Sequence, residues 1–397
     1  MEKSKYLIIG NGIAGLSAAK EIRKNDKIGK ITMVTSEEYL TYYRLKLSKS
    51  LSESADSQSL IINNQSWYDD RNIKVILSKI VERIDTRDNI VVLDDSSLIK
   101  YEKLLIATGA KSFIPPIHGK FKEGVFALRT IRDLNYIKKY LSNRDRVLII
   151  GGGLLGLEAA WSLHLLGKKV SIVEFAPYLL PKQLDKELGD KLASKLEELE
   201  MKVYLASTAE EIIGDTNATG IIVNNGEIIK SDAIFISSGI RPNLDIIRDT
   251  DIIFDRGILV NSHLQTNIEN IYAAGDVVEI NNMIIGLWTT ANEQGKIAGA
   301  NMAGNTVEYK QAKLFTTLSI GDIKVFSVGN ILDYDEFYEF KDISKDIHYK
   351  LYINYGKIIG AILFGNISEM NNIRNAVFSK MEIQEYLKSG IKFIKIQ

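Results

Sequence analysis

The chain has 397 residues, 45% of them hydrophobic and 25% charged, and its formal net charge is zero. That length admits two or three domains with sizeable cores, and the balanced charge supplies no long-range field to recruit nucleic acid or an anionic membrane. Cysteine is absent, which excludes disulfide exchange, thiolate metal sites and iron–sulfur ligation by this chain. The four histidines are scattered with no short-spaced pair, so no metal site is expected. No apolar run approaches the roughly 20 residues of a membrane span, and the first strand begins too soon after Met1 for a signal peptide. These features predict a cytoplasmic protein whose redox chemistry sits on a bound cofactor.

The first element is an apolar run, Tyr6-Leu7-Ile8-Ile9, that ends in the turn Gly10-Asn11-Gly12-Ile13-Ala14-Gly15 and continues as an amphipathic helix. In such a strand–turn–helix the first glycine permits the bend and the second lets backbone approach a pyrophosphate. The third lets helix pack on strand, and the helix N-terminus faces the negative charge. The pattern recurs at Val147-Leu148-Ile149-Ile150-Gly151-Gly152-Gly153-Leu154-Leu155-Gly156. Two copies imply two dinucleotides.

After the first turn, the strand 30–34 is followed by Thr35 and then by Glu37 and Glu38, near the distance at which an acid meets a ribose hydroxyl. Either acid is a candidate, and a solvated acidic turn is the alternative. The stretch from Tyr39 to Lys49 is aromatic and basic and reads as a helix start with surface lysines; a polar loop follows over 50–59. Residues 79–110 alternate apolar and polar around Asp94-Asp95 and close on a strand ending Ala107-Thr108-Gly109. Residues 209–240 repeat this around Asn225-Gly226, a strong hairpin signal, and close on a strand ending at Gly239. The shared order marks the duplication of a whole domain.

In the second copy the helix stops at Gly167, and the strand 169–173 ends directly on Glu174. A carboxylate there accepts the two ribose hydroxyls and repels a 2′-phosphate, and no arginine follows to offset it, so NADH is favoured over NADPH. Residues 185–200 form an amphipathic packing helix. From about Val307 short alternating strands and a helical pattern over 369–387 describe a small third unit without cofactor motifs. The predicted fold is α/β, with two Rossmann-like dinucleotide-binding domains, each with a three-stranded β excursion, and a small C-terminal α+β domain. The boundaries are 1–112 with 241–306, 113–240, and 307–397.

Taken together the motifs resemble the FAD-dependent pyridine nucleotide oxidoreductases over roughly residues 5–305. They are the first fingerprint, Ala107-Thr108-Gly109, the second fingerprint with Glu158, the strand end from Gly239 to Pro242, and Tyr272 to Asp276 with Gly275. Within that family Tyr42-Tyr43-Arg44, the C-terminal tail and the missing cysteines are most similar to the NADH:rubredoxin reductases of anaerobic bacteria. The resemblance implies that Asp276 binds the FAD ribityl chain, that Trp288 and Thr289 open a helix facing the flavin pyrimidine edge, and that Arg129 lies near the FAD. It implies that Glu158 lies beside nicotinamide and flavin and pairs with a lysine of the first domain, Lys49 being the positional match and Lys46 a competitor. Relatives with a reactive cysteine carry it in the stretch equivalent to 40–50, where none stands here, so electrons leave through the flavin itself.

The expected function is therefore an FAD-containing NADH reductase that passes electrons to a small carrier, rubredoxin first, with Arg44, Lys46 and Lys49 guiding an acidic partner. Three alternatives stay open: an oxidase forming hydrogen peroxide, a reductase component feeding a ferredoxin or a nitrite- or oxygen-reducing partner, and an NADH-sensing scaffold. Monomer and dimer are both compatible with the sequence.

Overall fold

The computed structural model describes residues 1–54, 57–389 and 391–396. The polar loop expected over 50–59 falls partly on residues 55 and 56, outside the described residues. The apolar run at the N-terminus forms the strand Glu2–Ile9. It pairs in parallel with Ile31–Val34 on one side and Leu98–Ile106 on the other, and Ile73–Ile76 extends the sheet beyond Ile31–Val34. Strands covered on both faces read as continuous apolar runs, and Leu7, Ile8 and Ile106 are buried. Ile271–Ala273 joins the same sheet beside Leu98–Ile106, which brings the Tyr272 to Asp276 segment next to the first glycine turn.

The second unit repeats the plan in the order Lys202–Tyr204, Lys169–Val173, Arg146–Ile150, Ala233–Ile236, Val125–Phe126. Its excursion is a separate three-stranded sheet of Ala209–Ile213, Gly220–Val223 and Ile228–Lys230. The first excursion is instead fused to the main sheet. Its last strand, Leu98–Ile106, pairs antiparallel with Ile90–Leu93 along its first three residues and parallel with Glu2–Ile9 along nearly its whole length. The chain crosses between the two units through Ala110–Ser112 and Ile240–Pro242, which pair with each other.

The helix after each glycine turn is covered differently. Ile13–Asn25 packs on Trp288–Met302. A Cβ at Gly295 would stand 2.2 Å from the Ala14 carbonyl oxygen and one at Gly299 2.5 Å from that of Ala18, so only glycine lets these backbones approach. Leu154–Leu165 is mostly apolar; Leu157, Ala160 and Leu163 are buried while Leu155 and Leu165 stay exposed, and the helix lies against the C-terminal unit. That unit is an antiparallel sheet in the order Phe315–Ile320, Ile323–Gly329, Lys357–Phe364, Ile347–Asn354, Glu336–Asp342, Ile394–Ile396. Its strands alternate. Leu318, Ile320, Val325 and Phe364 join the core of the second unit, whereas Phe326, Val328, Leu351 and Leu363 pack with Ile373, Ala376 and Val377 of the helix Met370–Ser379.

A charged network seals the edge of this joint. Lys350, whose side chain is 4% exposed, bonds Asp185 at 2.7 Å and Glu187 at 2.5 Å, and the Tyr352 hydroxyl donates to Asp185 at 2.8 Å. Asp185 also caps the helix Lys186–Glu198. Glu187, Glu339 and His348 bring ligand-type atoms within 4.8 Å of one another, but Lys341 and Lys350 already pair with those carboxylates. No helix among the described residues is long and apolar enough to cross a membrane.

Candidate functional site

One continuous cleft of about 1800 Å³ runs along the carboxyl ends of both parallel sheets and takes in both glycine turns. Each turn assigns different tasks to the three glycines of its fingerprint, Gly10, Gly12 and Gly15 in the first and Gly151, Gly153 and Gly156 in the second. Gly10 and Gly151 have φ of 109° and 113°, and a Cβ there would meet the carbonyl oxygens of Ala107 and Ser237 at 2.1 and 2.4 Å. A Cβ at Gly12 or Gly153 would stand in open space, and one at Gly15 or Gly156 would lie 2.1 Å from the carbonyl oxygen of the turn's own first glycine. The middle position therefore faces the cleft while the third packs behind it. Gly12 and Gly153 cap their helices without a side-chain hydrogen bond, leaving first-turn N–H groups turned toward the cleft, the arrangement that accepts a pyrophosphate.

The two acidic positions differ in how they are held. Glu174 accepts from the Gly152 and Ala176 backbone N–H groups at 2.6 and 2.7 Å, which fixes its carboxylate at the rim of the second turn. In the first unit the cleft-facing acid is Glu37, which accepts from Arg44 Nη2 and from the Tyr42 hydroxyl, both at 2.6 Å. Glu38 is a correction: it is exposed and lines a separate small pocket with Tyr39 and Gln65. The two-residue step past Thr35 turns one acid inward and its neighbour outward. Arg44 is corrected as a docking residue, because its guanidinium is spent on Glu37 and on the Arg129 carbonyl.

Where the units meet, Arg129 donates to Asp276 at 2.7 Å and to the Ala110 carbonyl at 3.0 Å. The helix Trp288–Met302 begins at the cleft without a side-chain cap, so its N-terminal N–H groups are free to favour negative charge there. Trp288 stacks on Tyr43, with ring centroids 6.2 Å apart, and Lys46 lies 4.8 Å from the centre of the Tyr43 ring.

Glu158 lines the cleft on the helix Leu154–Leu165. Its partner is not Lys49. The Ser48 hydroxyl donates to Glu158 Oε2 at 2.9 Å, while Lys49 is exposed and absent from the cleft wall. The turn Leu47–Ser50 buries Leu47, Ser48 and Ser50 and leaves Lys49 on its outer side. Burial pushes the Glu158 carboxyl upward, opposed by the hydrogen bond from Ser48.

The remaining predicted residues, namely Ile13, Ala14, Ala107, Thr108, Gly109, Leu154, Leu155, Gly239, Gly275 and Thr289, all line this cleft. Sequence reasoning missed Asn11, Ser48 and Asn243. Asn11 stands inside the first fingerprint and Ser48 next to Lys49, so both lay within stretches already singled out; Asn243 carried no such signal beyond following Pro242. Asn11 Nδ2, Asn243 Oδ1 and Trp288 Nε1 are buried in the cleft wall without a partner among the described residues. Unpaired buried polar atoms are costly, and three around one cleft fit a polar group that occupies it. The C-terminal unit also reaches this site, since Ala312 to Phe315 and Thr317 line the cleft.

Comparison with known proteins agrees with this geometry. Residues 4–295 match the family described as Pyridine nucleotide-disulphide oxidoreductase, and residues 315–381 match the Rubredoxin NAD+ reductase C-terminal domain. The chain is 35% identical to an NADH-rubredoxin oxidoreductase of Clostridium acetobutylicum over 379 residues, covering 96% of each chain. It is also 35% identical to a nitrite reductase [NAD(P)H] of Bacillus subtilis, covering 98% of this chain but only 49% of that protein. The crystal structure of the Clostridium acetobutylicum NADH:rubredoxin oxidoreductase superposes with a TM-score of 0.84 at 33% identity, over 96% of each chain. The chain belongs to the pyridine nucleotide-disulphide oxidoreductase family.

Proposed function

We propose that this chain is an NADH-dependent flavoprotein reductase that delivers electrons singly to a small carrier protein of the rubredoxin class. The cofactors are FAD and NADH. The observation that carries the reading is the single cleft joining two dinucleotide-type turns in a chain without cysteine. Bound FAD supplies hydride acceptance from NADH and one-electron release. On this reading residues 1–112 and 241–306 hold FAD, 113–240 hold NADH, and 307–397 form the C-terminal domain.

The protein's own groups position and bias that chemistry. The first-turn N–H groups after Gly12 and Gly153 hold the two pyrophosphates, and Glu174 accepts the NADH ribose hydroxyls. Glu37, oriented by Arg44 and Tyr42, is the FAD-side acid, with Asp276 and its partner Arg129 at the sugar chain. The N-terminus of Trp288–Met302 stabilises negative charge, as a free helix N-terminus does. Trp288 lines the cleft and stacks on Tyr43, and an acidic carrier approaches beside Lys46, which lies over the Tyr43 ring.

The likeness to the Clostridium acetobutylicum oxidoreductase over nearly all of both chains favours a carrier protein as acceptor. The nitrite reductase relative supports a second reading, a reductase section serving a nitrite-reducing partner, although this chain spans only about half its length. Anaerobic mixing of the holoenzyme with NADH, then separately with oxidised rubredoxin, ferredoxin and nitrite, distinguishes them. The proposal expects rapid flavin reduction by NADH, little by NADPH, and reoxidation by rubredoxin before the others; a flavin that NADH leaves oxidised overturns it.

A further inference from the structure

The first and second units touch across the cleft through a polar pair, Ser48 and Glu158. Ser48 is 5% exposed and is held inward by the burial of Leu47 and Ser50 on the same turn. Its hydroxyl reaches Glu158 Oε2 at 2.9 Å and is the sole hydrogen-bond partner of that carboxyl among the described residues. No ion pair reaches Glu158 among the described residues either. The elements packed against its helix offer little charge. Phe315–Ile320 carries no ionisable side chain, Arg146 at the start of its strand pairs with Asp232, and Lys169 sits exposed at the start of Lys169–Val173. On the first unit Lys46 lies over Tyr43 and Lys49 faces outward. On the helix itself His164 lies two turns further on and stacks on Trp161.

We propose that Ser48 is a positioning residue for Glu158, holding one carboxylate oxygen from across the cleft so that the other is presented to an N–H donor of the bound nicotinamide. The inference deepens the reductase reading and rests on it. A neutral hydroxyl does this work where an ammonium group would fix the carboxylate as a permanent ion pair. It orients the acid without cancelling its charge, and it leaves the proton affinity of Glu158 to the balance between burial and one hydrogen bond. Removing the hydroxyl tips that balance toward the protonated form. A protonated carboxyl has one oxygen fewer to offer a ligand N–H.

The test uses the flavin-loaded enzyme and the variants S48A, S48G, S48T and K49M, with E158Q for assignment. The carboxyl of Glu158 is titrated by carbon-13 NMR on glutamate-labelled protein, its resonance assigned by its absence in E158Q, while flavin reduction by NADH is followed over the same pH range. We expect S48A to move the Glu158 midpoint up by about one pH unit, the equivalent of one hydrogen bond to a carboxylate, and to move the acid limb of the reduction profile with it. S48T retains a hydroxyl and restores both; K49M leaves the midpoint in place. S48G, which also lacks the hydroxyl, must behave as S48A does and guards against a packing artefact. A midpoint unchanged in S48A and S48G, or one that moves in K49M instead, overturns the assignment of Ser48 while the reductase reading stands. Failure of NADH to reduce the wild-type flavin overturns the reading itself.

Discussion

The two glycine-turn units share a plan and differ in how each secures its acid, its excursion and its covering element. In the second unit Glu174 stands at the strand end and is locked by two backbone N–H groups. In the first, Glu37 comes two residues later and is held by side chains, Arg44 and Tyr42. The backbone lock needs only the local turn. The side-chain lock needs the segment 42–44, which also carries Tyr43 against Trp288. The first unit thus couples its acid to the helix that opens on the cleft, whereas the second keeps its acid independent of everything but its own fold. The coverings follow suit: a glycine-faced helix seals the first unit, and the C-terminal sheet shares its core with the second.

The sharpest way to break this comparison is to substitute the first glycine of each turn. Gly10→Ala and Gly151→Ala both place a Cβ inside van der Waals contact of a backbone carbonyl at positive φ. Strain and overpacking together cost each unit about 3 kcal/mol. Gly10→Ala is expected to purify without flavin, and Gly151→Ala to remain yellow yet resist reduction by NADH; absorbance after purification and anaerobic titration check both. Equal loss of flavin in the two variants would erase the division of labour.

The acids give the next largest effect. Glu174→Ala is expected to raise the KM for NADH about tenfold or more, the loss of one or two hydrogen bonds to a charged group, with flavin content unchanged. Glu37→Ala is expected to reverse the pattern, weakening flavin retention because Arg44 and Tyr42 lose their common acceptor, with NADH affinity of the loaded fraction unaltered. Steady-state kinetics and flavin content measure the split.

Removing the buried cation at the outer joint distinguishes the coverings. Lys350→Met leaves Asp185 and Glu187 without it. Both are partly exposed, so the cost falls to about 1–2 kcal/mol, below the 3–5 kcal/mol of a fully buried pair. Thermal unfolding should move down while flavin content holds. Acid should act at the same place. Burial raises the Glu187 carboxyl, but hydrogen bonds from Lys350 and Lys341 outweigh it and hold the group at about 2, below its ordinary value of 4.5. Its stabilisation is complete above that ordinary value and fades as pH falls toward 2. Burial holds the His348 imidazole below its ordinary 6.5, so the unfolded chain takes the proton first and stability declines as pH drops below 6.5. Melting temperatures from pH 7.5 down to about 3 should therefore fall for wild type and, below about 4.5, less steeply for Lys350→Met.

The smallest effect belongs to the surface. Lys46→Glu reverses an exposed charge above Tyr43 and is expected to slow electron transfer to an acidic carrier a fewfold at low salt, the difference vanishing as salt rises. Stopped-flow rates at several ionic strengths decide it.

Most of the architecture was legible in the sequence, because parallel strands buried on both faces must be apolar throughout and their turns must be glycine. Glu174 was legible for the same local reason. The partner of Glu158 was not. Ser48 and Lys49 are adjacent, and only the rotation of a four-residue helical turn decides which faces the cleft. The choice between Glu37 and Glu38 turned on a loop direction that no periodicity encodes. The reach of 312–317 into the cleft was equally hidden, because it follows from the C-terminal sheet packing on Leu154–Leu165, a long-range contact that leaves no motif.

The most direct test of the whole account is rapid anaerobic mixing of the NADH-reduced holoenzyme with oxidised rubredoxin, set against air-saturated buffer. The account predicts reoxidation at least an order of magnitude faster with rubredoxin. Rapid reoxidation by oxygen with no response to rubredoxin would contradict it and make the chain an oxidase built on the same two-turn fold.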